Sequence, residues 1–232
     1  LTTMDLVYYI PILTCTISVL FSIQLFISWR KKPESIYMLW WFIGVVTYGA
    51  GTFTESFNSL TGWHEINFRI WYITGALLGG APLAQGTVYL LLPKPIANKL
   101  TIAFLIVLVF ASSAVLYSPI DYALVDPLKM SGKVFTMQWV RLFSPFINFY
   151  ALAFLAGGAI WSAIGYFRKE TGRVRFWGNV LIAVGAILPG IGGTFTRFGH
   201  VAVLYVTERI GMVFILIAYY LIKNTSSFWI HS

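Results

Sequence analysis

Only eight Asp or Glu, sixteen Lys or Arg and three histidines occur in this 232-residue sequence. Six of the charged residues stand within or at the ends of long apolar stretches: Glu55, Arg69, Arg141, Arg197, Glu208 and Arg209. A charge kept in lipid is costly and marks a functional candidate by default. Four guanidiniums against two carboxylates leave a surplus of +2. Arginine forks match carboxylate and phosphate oxygens, so the chemistry expected is recognition of a small anionic ligand or a lipid headgroup. Gln85 and Asn148, the deepest amides, complete the candidate ligand-binding set. The bland alternative is that Glu55, Arg69, Arg141 and Arg197 sit at the membrane interface, snorkelling and pairing.

Spacing supports a shared pocket. Glu55 lies on one helical face with Thr52, Gly51 and Tyr48, and Arg197 with Thr194, Gly193 and Gly190. Arg141, Ser144 and Asn148 line a third face. Glu208 and Arg209 stand about seven residues into the last apolar stretch, roughly 10 Å below its end at 1.5 Å per residue. Catalytic motifs are missing: the sequence has no His-Glu-x-x-His, Gly-x-Ser-x-Gly, Cys-x-x-Cys, Walker loop or Gly-x-Gly-x-x-Gly. His64, Glu65, His200 and Glu208 fit no metal-ligand spacing. A non-enzymatic protein without metal or cofactor is therefore expected, and no nucleic-acid partner.

Membrane-spanning helices must position these residues. Hydrophobic residues make up 58% of the chain and charged residues 10%, with a mean hydropathy of +0.78, against roughly 25% charged in soluble domains. Seven stretches reach the ~20 residues needed to cross a bilayer: 6–29, 36–57, 68–92, 100–117, 140–167, 176–196 and 201–222. The fold expected is all-α, a seven-transmembrane helix bundle, with residues 1–232 as a single integral membrane domain. The first stretch is too long for a cleaved signal peptide and no Lys or Arg precedes it. Cys15, the sole cysteine, excludes an internal disulfide.

Ten of the sixteen basic residues, from Arg30 through Lys94, Arg168 and Arg173 to Lys223, fall at one side. The positive-inside rule makes that side cytoplasmic, with the N-terminus outside and the C-terminus inside. A plasma or inner membrane is the expected location, with anionic lipids touching the basic loops. The loops are short, so no soluble catalytic or signalling domain is expected. Residues 118–139 form the longest, and Asp126-Pro127 and Ser131-Gly132 suggest a small hairpin. Kinks are expected at Gly79-Gly80-Ala81-Pro82 and around Pro189, and close packing at Gly75 and Gly79. Most tryptophans suit interfacial belts; Trp161 is expected in the core or lining a cavity.

Gly51-Thr52-Phe53-Thr54-Glu55 is echoed by Gly193-Thr194-Phe195-Thr196-Arg197. Pro11 and Pro145 each precede an Arg-Lys step, and Arg69 and Arg209 follow each Gly-Thr-Phe-Thr. Stretches one to three and five to seven thus read as a parallel repeat with the fourth as connector, a design known in transporters. On that scheme Glu55 and Arg197 are equivalent and could clamp the two halves.

The plan resembles that of microbial opsins and of small sugar transporters with three-one-three topology. The stretch from Tyr48 through Glu55 to Trp71-Tyr72 is similar to seven-helix sensor regions of bacterial histidine kinases. The opsin likeness implies a lysine midway along the seventh stretch, which 201–222 lacks, so no retinal chemistry carries over. The transporter likeness implies a Pro-Gln pair, whereas Pro11 precedes Ile12 and Pro145 precedes Phe146. The expected function is binding or transport of a small anionic or lipid-like ligand through an outward-facing polar pocket. An accessory subunit of a membrane complex is the alternative, and a lipid-modifying enzyme the third.

Overall fold

The computed structural model describes residues 9–127, 129–169, 172–196, 198 and 200–227. All regular elements among them are helical: α1 (Ile10–Lys31), α2 (Ile36–Thr61), α3 (Glu65–Trp71), α4 (Ala81–Leu91), α5 (Lys94–Tyr117), α6 (Phe143–Ala151), α7 (Gly157–Phe167), α8 (Arg173–Thr196) and α9 (Val201–Ser227). Wide π-turns join α3 to α4 (Tyr72–Leu78) and α6 to α7 (Leu152–Ala156). Among the described residues, six helical segments are long and apolar enough to cross a bilayer: Ile10–Lys31, Ile36–Thr61, Lys94–Tyr117, Gln138–Phe167, Arg173–Thr196 and Ala202–Asn224. They mark an integral, multi-pass membrane protein.

The stretch expected at 68–92 is not a continuous helix. Gly79 takes φ +40°, a conformation that a side chain disfavours, and Pro82 then sits in the first turn of α4, where its missing N–H is harmless. The kink read from Gly79-Gly80-Ala81-Pro82 is therefore present. It leaves the Ala76 carbonyl open to the Ser144 hydroxyl at 2.7 Å and the Asn148 amide at 3.0 Å. This half-buried carbonyl is satisfied by the next helix, and the break is tolerable in lipid for that reason.

No such break occurs at Pro189: α8 runs unbroken from Arg173 to Thr196. Proline removes the bond to the carbonyl four residues back, here Gly185. The bare backbone of Gly211 covers that point. A Cβ built on Gly211 would lie 2.6 Å from the Gly185 oxygen and 3.2 Å from Pro189 Cδ. Close packing of α9 at Gly211 holds α8 in one piece.

Neighbouring helices pack in the order α1–α2–α4, then α6–α7, α8 and α9, and α9 returns to α1. α5 lies against α4 and the first π-turn, with Ile102, Ile106, Val109 and Phe110 exposed on its other side. Tyr219 of α9 packs on Phe21 of α1 with ring centroids 5.4 Å apart and bonds Ser28 at 2.6 Å. Lys223 donates to the same Ser28 oxygen at 3.3 Å. Alternating helix direction thus gathers the ten basic residues at one end of the bundle, called here the basic end.

Residues 118–142 cap the opposite end. Among the described residues they form the expected small hairpin in irregular form: Ile120 with Phe135 and Asp126 with Lys129 bridge in one antiparallel register, the turn falls at Asp126-Pro127, and three 3₁₀ turns interrupt the segment. Val134, Phe135 and Val140 are buried; the Phe135 ring lies 4.8 Å from Tyr72 and 5.2 Å from Phe68. Gly132 approaches so closely that a Cβ there would sit 2.6 Å from the Tyr72 ring. Trp161 lies neither in the core nor in an enclosed cavity: it is 76% exposed on the outward face of α7.

Candidate functional site

Helix α2 carries its polarity on one buried stripe: Thr52, Thr54, Glu55, Ser56 and Asn58. The hydroxyls satisfy themselves on their own helix, Thr52 on the Gly49 carbonyl, Thr54 on Gly51 and Ser56 on Thr52, as Ser and Thr do in apolar surroundings. The carboxyl of Glu55 has no such option. Its Oε1 accepts the Trp71 indole N–H at 3.0 Å. Gly51 and Gly75 make this contact reachable: a Cβ on Gly51 would lie 3.2 Å from Gly75 Cα, so the two backbones touch one helical turn from Glu55 and from Trp71.

The second oxygen, Oε2, is buried and has no hydrogen-bond partner among the described residues. The carboxyl groups of Glu55 and Glu208 are close neighbours that influence each other electrostatically. Tyr48, two turns before Glu55 on α2, donates its hydroxyl to the Glu208 main-chain carbonyl at 3.1 Å, tying α9 to α2. The site is thus two neighbouring carboxyls, one indole and one phenol, with Glu55 only 4% exposed. Two acids so placed in low dielectric repel each other unless a proton or a cation lies between them.

No protein-family model, curated protein or solved structure matches this chain.

The remaining expected site residues go elsewhere. Arg69 binds Glu65 through Nε at 2.9 Å and Nη2 at 2.7 Å. It also donates to the carbonyls of Val115, Leu116 and Ser118, covering the orphaned C-terminal end of α5 as a cation should. Glu65 also accepts the Tyr122 hydroxyl. That bond and the Arg69 guanidinium hold its carboxyl below the usual carboxylate range, and the same bond pushes the Tyr122 phenol up. Arg141 lies in the cap segment and donates to Gln138 at 2.6 Å. Arg209 is exposed. Arg197, and with it the proposed clamp to Glu55, lies outside the described residues.

Gln85 and Asn148 form two further knots. Gln85, fully buried, donates to Thr101 at 2.7 Å and accepts from Tyr150, joining α4, α5 and α6. Asn148 donates to Ala76 and to Ser144, each at 3.0 Å. Both amides are occupied in holding helices together.

Trp71 was assigned to the interfacial belt by sequence, yet it is the direct partner of Glu55. A signal was available. Glu55 and Trp71 stand eight residues either side of Trp63, which lies in the short turn between α2 and α3. Antiparallel helices joined by a tight turn bring such positions to equal depth.

Proposed function

We propose that this chain is a non-enzymatic membrane protein that binds a small cation at Glu55 and Glu208, with a proton occupying the pair in the cation's absence. The supporting observation is the pair itself: a buried Glu55 carboxyl, one oxygen of which has no partner among the described residues, with the Glu208 carboxyl as its neighbour. An intramembrane acid pair of this kind marks an ion or proton pathway by default. Binding a monovalent cation releases the shared proton, so the net charge of the site stays constant. Tyr48 and Trp71 fix the helices from which the two acids project.

The expectation of an anionic ligand rested on surplus arginines. Arg69 is engaged by Glu65 and three carbonyls, and Arg141 by Gln138. Those guanidiniums are therefore no counter-charge for Glu55 and Glu208, which favours a cation.

Protein reconstituted in lipid nanodiscs tests this. It is titrated with sodium, potassium and tetramethylammonium chlorides at constant ionic strength, balanced by N-methylglucamine. At least one cation should raise the unfolding temperature saturably, since it binds the native state alone. The infrared band of a protonated carboxyl should fall in parallel. Glu55→Gln and Glu208→Gln should each abolish the saturable effect. A flat response to all three cations, with no protonated-carboxyl band, would dispose of the reading.

A further inference from the structure

A groove of about 600 Å³ lies between helices α7 and α8 toward the basic end, within the roughly 300–1,000 Å³ typical of small-molecule clefts. Its floor is Ala163 and Ala183, both buried; Ile160, Val184 and Ile187 line it. At its mouth the Phe167 and Phe176 rings meet at a tilt with centroids 5.4 Å apart, and Arg168 closes the lining. Phe176 to Ile187 is eleven residues along α8, about 16 Å at 1.5 Å per residue. That is the depth of one leaflet, half of the ~30 Å hydrocarbon core.

Charge selects the occupant. Arg168 is followed by Lys169, Arg173 and Arg175, against a single acid, Glu170, in the same run. The Arg175 guanidinium and the Lys169 ammonium both lie over the Tyr166 ring, at 5.6 Å and 5.9 Å, which gathers three cations beside one apolar slot. A slot of single-leaflet depth ending in a basic cluster matches one molecule with a hydrocarbon tail and an anionic head. We infer that the groove between α7 and α8 is a binding site for an anionic phospholipid of the leaflet at the basic end, one acyl chain lying on Ala163 and Ala183 and the phosphate on Arg168. Polybasic clusters beside membranes attract such headgroups, and the groove supplies a fixed seat for the chain.

Native mass spectrometry of the protein in detergent, with added dioleoyl phosphatidylglycerol or dioleoyl phosphatidylcholine, tests the site. The wild-type chain should bind one phosphatidylglycerol about tenfold more tightly than phosphatidylcholine, a difference of one charge-assisted contact. Arg168→Gln should reduce phosphatidylglycerol to the phosphatidylcholine level. Val184→Trp fills the slot from its exposed edge and should remove tight binding of both lipids. Ile160→Trp, from the opposite wall, makes the same test should V184W fail to fold. Equal binding of the two lipids by the wild-type chain overturns the proposal. So does lipid binding that falls with R168Q but survives the filled groove, which would be a headgroup contact alone.

Discussion

At the scale of single residues, the decisive fact is which charges are satisfied and by what. Arg69, Glu65 and Tyr122 form a closed set at the capped end, and Glu65 titrates below its ordinary range because a hydroxyl and a guanidinium favour its charged form. A depressed carboxyl stabilises the folded state above the unfolded value, about 4.3, and that contribution fades as pH falls through the lower folded value. Acidification below about pH 4 should therefore loosen the attachment of Tyr122 to α3. Tyr122→Phe should raise the Glu65 titration toward the ordinary value, read by carbon NMR of labelled glutamate. An unchanged titration in Y122F would show that the hydroxyl does not govern it. Glu55 is a different case: its indole partner leaves one oxygen without a donor among the described residues, which is why the proposed site is built on this acid and not on Arg69.

At the scale of elements, the break between α3 and α4 is held by α6. Ser144 and Asn148 both bond the Ala76 carbonyl, which removes the desolvation penalty that the kink creates. Leaving a fully buried acceptor unpaired costs about 1–3 kcal/mol, an upper bound for this half-buried carbonyl. Either Ser144→Ala or Asn148→Ala alone should cost less than that, since the other donor remains. The double variant should lose more than the sum of the singles, a coupling that a thermodynamic cycle in detergent would measure. Strict additivity would mean that the carbonyl is otherwise satisfied. α8 shows the opposite solution to a helix breaker. There no side chain answers Pro189, and the neighbouring Gly211 seals the defect by bringing α9 into contact. Pro189 was read as a break in the sequence because the closeness of a helix twenty residues later is not a local property.

At the scale of the whole molecule, helix direction and charge make a testable arrangement. The ten basic residues share one end, and the positive-inside rule assigns that end to the cytoplasm. In a Cys15→Ser background, a cysteine placed at Lys133 should react with an impermeant maleimide in intact cells, and one placed at Lys169 only after the membrane is opened. The reverse pattern would invert the topology. The cap segment 118–142 also changes how the expected outward-facing pocket is understood, because Val134, Phe135 and Val140 fill the space over Phe68 and Tyr72. Periodicity cannot show such a cover: the segment has little regular structure, and its apolar residues find their partners far along the chain.

Composition and stretch length by themselves settled that this chain crosses a membrane many times. Burying apolar surface in lipid depends on how many such residues are consecutive, a quantity that needs no neighbours. The same local chemistry disclosed the glycine-proline kink and the concentration of bases at one end. Tertiary structure alone decided which charges meet. Glu55 meets Trp71 and neighbours Glu208 because the Gly51–Gly75 crossing and the return of α9 to α1 bring those helices together. Electrostatic partnership falls steeply with separation, and separation between helices is not written in either helix.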